Sequence, residues 1–448
     1  MLSERNRKLK RTGETIVLDI SHKANINYFR RLAKFGYISF SIMFLVSEIG
    51  LLIWHFIKDG FSVPNYGGDI RVTDFVGFYI AGKIAASAQR TDLFNIDTFN
   101  HYYKTITGCT TDCLDIRIFH LPFLHLFMIP FASLPIDVAH AVFDIVSTAF
   151  GLLALCLLIK QTEKFKKSSA LIFLLGILIS YPSWDNWLQG QILWLYLGLA
   201  AIYCASFLSN NEIRAGIALA LLSVKPQYAL YLAIPPLICQ RYRLLLVAAF
   251  SEFILFLICL MAFGPHVLTT YIQEYNHHEL SSGYTHPELM NSIRALLTFI
   301  FSPENAYHIS CMLGMIAFIL VTGLSLLAFK KNSRTIAWIF SLVVVSSLLF
   351  SPHAHPHDCL LIAIPAILTL PDLANINKLS PSLFIWKWSL YLFPLTSWVR
   401  AANFICAAPG SLMLTAIIGI LWLCALRQVL IAIKQNDKYQ TYQISETI

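Results

Sequence analysis

The sequence predicts an all-α protein, a polytopic transmembrane bundle of about twelve spans whose first external loop carries short interfacial helices. Of its 448 residues, 57% are hydrophobic and only 13% are charged, which is about half the charge of an ordinary soluble domain. The mean hydropathy is +0.63, and the apolar residues form repeated runs typical of several membrane spans. Short basic clusters separate these runs, as expected for cytoplasmic loops.

The first apolar run, 35–57, is long enough to cross a bilayer at about 1.5 Å per residue. We interpret it as a retained helix and not as a cleaved signal peptide, because Lys58-Asp59-Gly60 follows it in place of a small-residue cleavage site. The preceding segment, 1–34, holds nine Lys and Arg residues. This density predicts that the segment is cytoplasmic.

If successive apolar runs cross the membrane in alternating directions, every basic cluster lies on the cytoplasmic side. The runs assign 35–433 to one membrane domain, 58–117 to its first external loop and 434–448 to a cytoplasmic tail. Segment 118–134 is apolar but flanked by prolines, and we interpret it as re-entrant or interfacial, with a thirteenth span as the alternative. The twelve predicted spans are 36–57, 138–159, 169–181, 189–208, 213–223, 227–239, 243–263, 308–329, 335–350, 359–371, 383–398 and 411–433.

In this topology the polar side chains outside the cytoplasmic basic clusters lie mostly at the external ends of helices. Burying them is costly unless they pair or line a wet cavity. A cavity lined by carboxylate, His, Lys, Arg and Gln predicts chemistry on an anionic or sugar-like substrate. These residues are Asp69, Arg71, Asp74, Trp184, Asp185, Gln191, Lys225, His277, His278, Glu279, Asn291, Arg294, His353, His355, His357 and Asp358.

Other classes of site find little support. The net charge of +8 gathers at span ends and no basic patch with interleaved aromatics stands out, so we expect no nucleic-acid partner. Dinucleotide-binding and phosphate-loop glycine patterns are absent. The longest external loop, 58–117, leaves no room for a nucleotide-sugar domain, which favours a lipid-borne donor. Cys109 and Cys113 lie in this loop, and whether they form a disulfide stays open.

Several short motifs occur in a recognisable order. They are Asp74-Phe75 with Tyr79 and Ala81, Phe119-His120-Leu121-Pro122, Pro130, Leu134-Pro135, Gly190-Gln191, Ala215-Gly216, Lys225-Pro226-Gln227, Asn291-Ser292, and Ser351-Pro352 with His355 and Asp358. Over about residues 65–365 the chain resembles the GT-C superfamily of membrane glycosyltransferases, particularly glycosyltransferase family 87. That family includes polyprenyl-phosphate-mannose-dependent alpha-mannosyltransferases. The chain departs from the usual pattern at 353–357 and at His120-Leu121, which leaves sugar and acceptor open.

The resemblance implies an inverting transfer of a hexose, mannose being the first choice, from a polyprenyl phosphate to a lipid- or glycan-linked acceptor. Such a reaction needs a general base for the acceptor hydroxyl and polar groups for the departing phosphate. It implies no required cofactor. We expect both termini in the cytoplasm and the active site on the periplasmic side of a bacterial inner membrane, with membrane lipids around the protein.

Asp74 is the predicted base, because it matches the family position and begins a helical stretch over 74–88. A helix N-cap is the alternative role, since Asp is a favoured cap. Asp69, beside Gly67-Gly68, is the second candidate for the base.

Lys225 is the first candidate for binding the donor phosphate. It lies between two apolar runs with Pro226 breaking the helix, where a charge is costly without an anionic partner. A lysine that snorkels to the interface is the alternative. Arg294 and His355 are further candidates for the phosphate, and Arg294 fits a solvated loop residue equally well.

Sugar and acceptor contacts are assigned to a larger polar set, for part of which packing roles are the alternative. In an extended loop the alternating histidines of 353–357 would point to one side, where a divalent ion is conceivable. No metal is expected, because the resemblance does not require one and the first external loop lacks Asp-x-Asp. The assigned residues are Gln191, Trp184, His120, His353, His357, Asp358 and Asn291.

Two other functional classes handle similar substrates. A transporter or flippase would show internal repeats and paired broken helices, and no convincing repeat links the two halves. Arginine-rich external loops would indicate a polysaccharide polymerase or ligase that acts on lipid-linked sugars. The external arginines of this chain are dispersed.

Overall fold

Helices account for all the regular structure in the described part of the chain, which contains no β-strand. The computed structural model describes residues 74–108, 119–162, 167–280, 289–332, 335–374, 380–397 and 409–445, all within one compact unit, 59–448. The α-helices are α1 (Asp74–Ala85), α2 (Ile96–Thr107), α3 (Phe123–Ala132), α4 (Ile136–Thr162), α5 (Lys167–Leu178), α6 (Tyr181–Gln189), α7 (Leu193–Leu208), α8 (Glu212–Leu221), α9 (Pro226–Leu232), α10 (Ile234–Ile238), α11 (Tyr242–Phe263), α12 (Val267–Leu280), α13 (Ile293–Leu297), α14 (Pro303–Lys331), α15 (Ile336–Leu349), α16 (Ala363–Ala374), α17 (Pro381–Thr396) and α18 (Pro409–Ser445). Three-residue 3₁₀ helices lie at Arg90–Asp92 and Leu222–Val224, and a longer one at Pro356–Ile362.

Four described helices are long and apolar enough to cross a membrane: α4, α11, α14 and the Leu412–Lys434 part of α18. The pair α5 and α6, bent by 47° between Leu178 and Tyr181, would make a fifth if it is one span. The prediction of an all-helical membrane protein is therefore confirmed. The count of about twelve spans is not, because most of the other predicted spans form helices shorter than a bilayer requires.

Helix breaks explain the shorter segments. The predicted spans 213–223 and 227–239 form α8, a 3₁₀ turn, α9 and α10, with Lys225-Pro226 at the main break. A proline at the first helical position supplies the right φ and lacks an N–H that would have no partner there. Segment 118–134 holds α3, whose ten residues extend about 15 Å, half the hydrocarbon thickness of about 30 Å.

A helix occupies one of the segments that connect the predicted spans. The segment 182–188, which was left between two spans, forms most of α6, because Pro182 suits its first turn and Gly190 ends it in a left-handed conformation, φ +62°. Helix α18 runs from Pro409 to Ser445 and its apolar part ends at Lys434, so the cytoplasmic tail assigned to 434–448 stays a prediction. The first predicted span, Asp69, Cys109 and Cys113 lie outside the described residues.

The main core forms where α4 packs closely on α7. A Cβ added to Gly198 would meet the Phe150 ring and lie 3.2 Å from the Cα of Gly151, so the two backbones touch only because both positions are glycine. Other helices carry exposed apolar side chains on the surface of the protein, such as Phe250 and Met261 of α11. In a membrane protein such a surface faces lipid.

A second apolar cluster seats α1 against the end of α11. Ile80 and Ile84 of α1 are fully buried in this cluster and Phe78 in the main core, because the helix is apolar on nearly every side and is covered by its neighbours. The hydroxyl of Tyr79 donates to the carbonyl of Leu134, 2.8 Å away, between α3 and α4. These contacts fix the position of Asp74 at the start of α1.

Candidate active site

Asp74 and Gln191 meet at the centre of the candidate site. The Gln191 side-chain N–H donates to Oδ2 of Asp74 at 2.6 Å. Gly190 closes α6 in the left-handed region, and the backbone N–H of Gln191 donates to the carbonyl of Asn186, 2.9 Å away. This turn directs the Gln191 amide to the first residue of α1. The predicted base therefore has a specific partner 117 residues away in the chain.

The surroundings of Asp74 make its carboxylate a stronger base than an ordinary aspartate. Burial raises its pKa above 3.8, and the hydrogen bond from Gln191 opposes part of that rise. His357 and His353 also lower the pKa, whereas Asp185 raises it. Asp74 therefore interacts electrostatically with side chains of α6 and of the 353–357 segment.

Lys225 forms a buried ion pair with Asp358. Its Nζ lies 2.7 Å from Oδ1 of Asp358, and the two side chains are 5% and 0% exposed. The other oxygen, Oδ2, accepts the backbone N–H of His355 at 2.8 Å and so caps the 3₁₀ helix that follows. Sequence reasoning expected an anionic substrate beside Lys225, and the structure provides a carboxylate of the protein itself.

The rings of the three alternating histidines contact one another in turn, His353 edge-on to His355 and His355 stacked on His357. The ring centroids of His353 and His355 are 4.7 Å apart, and those of His355 and His357 are 5.6 Å apart. The backbone is extended only as far as His355, because Pro356 and the capping contacts of Asp358 start a 3₁₀ helix that contains His357.

His357 links this segment to α6. Its Nδ1 lies 2.8 Å from Oδ2 of Asp185, and its Nε2 lies 4.0 Å from Oδ2 of Asp358. Among the described residues, no group of three or more His, Cys, Asp or Glu side chains is arranged to hold a metal ion. The expectation that no metal is required stays a prediction.

Two histidines of the site are held neutral. Burial lowers the pKa of His355 well below 6.5, as do the neighbouring His353 and His357. Burial also lowers the pKa of His120, followed by the positive charge of Lys225. The Nδ1 atom of His120 is buried without a hydrogen-bond partner in the described part of the chain. Either imidazole can therefore serve a ligand as a neutral hydrogen-bonding group.

Arg294 and Asn291 pack against the 352–354 segment. The guanidinium of Arg294 is fully buried, donates to the carbonyl of Pro352 at 2.9 Å and lies 4.9 Å from the ring centre of Tyr307. The backbone N–H of Asn291 donates to the carbonyl of Ala354, 2.8 Å away. Its side-chain amide is fully buried, and neither polar atom has a partner among the described residues.

The remaining predicted residues are placed as follows. Trp184 lies partly buried on α6, next to Asp185, and Asp69 lies outside the described ranges. In His277 and His278 of α12 only the backbone is described. The role of every predicted site residue stays a prediction, because no ligand tests it.

Sequence reasoning missed two tyrosines of the site. The hydroxyl of Tyr228 donates to the carbonyl of His353 at 3.4 Å, and the Tyr196 ring lies 6.0 Å from the Tyr228 ring. The Tyr196 hydroxyl is buried without a hydrogen-bond partner in the described ranges. A signal was present for Tyr228, which follows Lys225 by three residues, nearly one helical turn.

A family model decides the class of this protein. The model of glycosyltransferase family 87 matches residues 120–352, just over half of the chain. The chain belongs to glycosyltransferase family 87. No curated protein sequence matches it.

Family membership and the apolar helices together make this a membrane glycosyltransferase, so its substrates are a sugar donor and an acceptor. The resemblance found in the sequence is thereby confirmed at the level of the family. Among the candidate residues, the family 87 match includes His120, Asp185, Gln191, Lys225 and Arg294, whereas Asp74 and the 353–358 segment lie outside it.

Proposed function

We propose that this family 87 enzyme is an inverting hexosyltransferase that takes a sugar, first of all mannose, from a polyprenyl phosphate. The acceptor is a hydroxyl of a lipid- or glycan-linked sugar on the non-cytoplasmic face of the membrane. The observation that carries the proposal is the Asp74 carboxylate, which accepts a hydrogen bond from Gln191 at 2.6 Å and interacts electrostatically with Asp185, His353 and His357.

In the proposed reaction Asp74 is the general base. Its carboxylate removes the proton of the acceptor hydroxyl while that oxygen attacks the anomeric carbon of the donor sugar. The bond from the anomeric carbon to the phosphate oxygen breaks, and the lipid phosphate leaves with the electron pair. One displacement inverts the anomeric configuration. Because burial raises the pKa of Asp74, the carboxylate has more driving force for proton removal than an ordinary aspartate.

The charges around Asp74 and Lys225 support a donor with a single negative charge. The described side chains of the site include three carboxylates, Asp74, Asp185 and Asp358, and two permanent cations, Lys225 and Arg294. His120 and His355 have lowered pKa values and add hydrogen-bonding groups without adding charge. A phosphodiester suits such a site better than the diphosphate of a nucleotide sugar, which brings more negative charge.

Lys225 and His355 are proposed to bind that phosphodiester. The ammonium group has three N–H donors, of which Asp358 accepts one at 2.7 Å. Neutral His355 lies three residues before Asp358, and its backbone N–H donates to Oδ2 of that residue. We assign Gln191, His120 and Asn291 to sugar or acceptor hydroxyls, because each has a buried polar atom without a partner in the described part of the chain. Trp184, His353, His357 and Asp358 complete the proposed lining.

The test is sugar transfer by the purified protein in detergent, with labelled polyprenyl-phosphate mannose and a crude lipid acceptor. Asp74→Asn is compared with Asp97→Asn, which changes an exposed carboxylate in the first turn of α2. We expect Asp97→Asn to match the parent and a folded Asp74→Asn to lose about 10²–10⁴ of the rate. Substantial transfer by Asp74→Asn would move the base elsewhere, with Asp69→Asn examined next.

Two further readouts test the finer parts of the proposal. NMR of the purified product reports the anomeric configuration, and retention would contradict a single displacement. A panel of other polyprenyl-phosphate hexoses and of nucleotide sugars identifies the donor. Transfer only from a nucleotide sugar would overturn the lipid-phosphate donor, and addition of many sugars to each acceptor would favour a polymerase.

A further inference from the structure

Behind the Asp74–Gln191 contact, the spanning helix α4 carries a second polar pair. His140 and Asp144 are one helical turn apart, and Nε2 of His140 lies 3.3 Å from Oδ2 of Asp144. The two side chains are only 11% and 19% exposed. Burying ionisable side chains inside a membrane span is costly in free energy, and such side chains usually pair with one another and mark a functional site.

His140 touches the chain neighbours of both residues at the centre of the site. Its ring stacks on Phe75, the residue after Asp74, with centroids 4.5 Å apart and planes tilted by 9°. Its Nε2 also lies 3.2 Å from the carbonyl oxygen of Trp187, in the last turn of α6 before Gly190 and Gln191.

Gly190 brings the turn into direct contact with this imidazole. A Cβ added there would collide with the Cβ of Phe75 and lie 2.6 Å from Nε2 of His140. A second bond holds the same helix end, since the Trp187 indole N–H donates to Oγ1 of Thr148 at 2.9 Å. Helix α4 therefore grips the end of α6 at two points, and His140 fills the space between the turn and α1.

The contacts define which ring nitrogen of His140 is the donor. The Trp187 carbonyl can only accept a hydrogen bond, so Nε2 donates to it, and the Asp144 carboxylate lies beside the same nitrogen. The Oδ1 atom of Asp144 is buried without a partner in the described ranges. Asp144 thus lies against the same imidazole nitrogen that donates to Trp187, and it favours a hydrogen on that nitrogen over one on Nδ1.

We propose that His140, oriented by Asp144, is a positioning residue for the transfer reaction: it seats the Gly190–Gln191 turn against α1, so that the Gln191 amide meets Asp74. The catalytic part of this inference rests on the proposed function, in which Asp74 is the base. The structural part, that His140 sets the contact between Gln191 and Asp74, does not.

The inference has a measurable consequence at Asp74. Without the Gln191 hydrogen bond, burial would act on the carboxyl with less opposition, and its pKa would rise further. The other groups that act on Asp74 are His353, His357 and Asp185. Their contact with one another, from Asp185 to His357 at 2.8 Å, does not include His140.

The kinetic test uses His140→Phe, which keeps a flat ring on Phe75 but removes the Nε2 proton, and His140→Gln, which keeps an N–H donor at a similar distance from Cα. His308→Phe is the matched control, because His308 and Glu304 form an exposed pair with the same spacing, 3.9 Å apart. For His140→Phe we expect kcat to fall at least about tenfold, since a misplacement of about 1 Å can cost about 100-fold. The KM for the donor should stay within about twofold, and His140→Gln should recover most of the rate.

A double-mutant comparison separates positioning from general damage. Gln191→Leu removes the amide directly, and His140→Phe combined with Gln191→Leu should be no slower than Gln191→Leu alone if His140 acts through Gln191. Both single variants should also shift the acid limb of the kcat/KM profile to higher pH. Full additivity with an unshifted acid limb would overturn the proposal, because a structural role alone would give that result.

A second readout needs no substrate. Dicyclohexylcarbodiimide modifies protonated carboxyl groups in apolar surroundings, and peptide mass spectrometry measures its attachment to Asp74 as a function of pH. In His140→Phe and Gln191→Leu the labelling should persist to higher pH than in the parent, His140→Gln and His308→Phe. A parental labelling profile in a folded His140→Phe would overturn the inference. A shifted profile in a protein that transfers no sugar would uphold the positioning and overturn the proposed function instead.

Discussion

Removing the ammonium group of the buried Lys225–Asp358 pair should cost both stability and activity, and a second substitution should restore only the stability. Lys225→Met leaves Asp358, which is 0% exposed, with its charge uncompensated by the lysine 2.7 Å away. Breaking one side of a buried pair costs about 3–5 kcal/mol. That is about a 10²- to 10⁴-fold change in the ratio of folded to unfolded protein.

The double variant Lys225→Met with Asp358→Asn removes both charges. Its asparagine oxygen can still accept the backbone N–H of His355, which now donates to Asp358 at 2.8 Å. Replacing a whole buried ion pair by less polar groups is often neutral or stabilising. We therefore expect the double variant to recover most of the stability that Lys225→Met loses.

Activity should respond differently. If Nζ of Lys225 binds the donor phosphate, transfer stays at least about 100-fold below the parent in the double variant, as for loss of one preorganised donor group. Thermal unfolding followed by tryptophan fluorescence measures stability in detergent, and initial rates measure transfer. Parental activity in the double variant would refute phosphate binding by Lys225, and parental stability in Lys225→Met would refute the buried pair.

Two further predictions concern the centre of the site. Gly190→Ala places a side chain at φ +62°, which costs about 1–2 kcal/mol, and its collision with Phe75 adds about 1–3 kcal/mol. Both the unfolding midpoint and kcat should therefore fall. Gly323→Ala is the control and should resemble the parent, because its Cβ meets nothing within 4 Å. Because burial raises the pKa of Asp74 and only the deprotonated base acts, kcat/KM should decline with falling pH at a midpoint above the ordinary value of 3.8. A midpoint at or below 3.8 would contradict this environment for the base.

Local features of the site were predictable from sequence, because they depend on neighbours in the chain. The apolar runs predicted helices, and Pro226 predicted the break that presents Lys225. Asp74 was expected to lie in a helical stretch over 74–88, and the helix α1 covers Asp74–Ala85 of it. The alternation of the three histidines did not indicate the 3₁₀ helix that begins at Pro356 and contains His357.

The pairings within the site were not predictable. Gln191 joins Asp74 across 117 residues, Asp358 joins Lys225 across 133, and His357 joins Asp185 across 172. Such contacts follow from how helices pack, and a periodic pattern specifies which face of a helix is buried but not what covers it. The sequence showed which side chains were too costly to leave unpartnered, but not their partners.

The same helix interruptions explain why the site exists and why so few full-length spans are found. Gln191 follows the end of α6, Lys225 precedes α9 and His355 caps a 3₁₀ helix. Each interruption leaves backbone N–H or C=O groups without intrahelical partners, which a bilayer tolerates only where protein shields them or a cavity is lined. A continuous span satisfies its own backbone and needs no polar neighbours. The helices that are too short to cross a membrane are therefore the ones that bring a base, a cation and neutral hydrogen-bonding groups to one place.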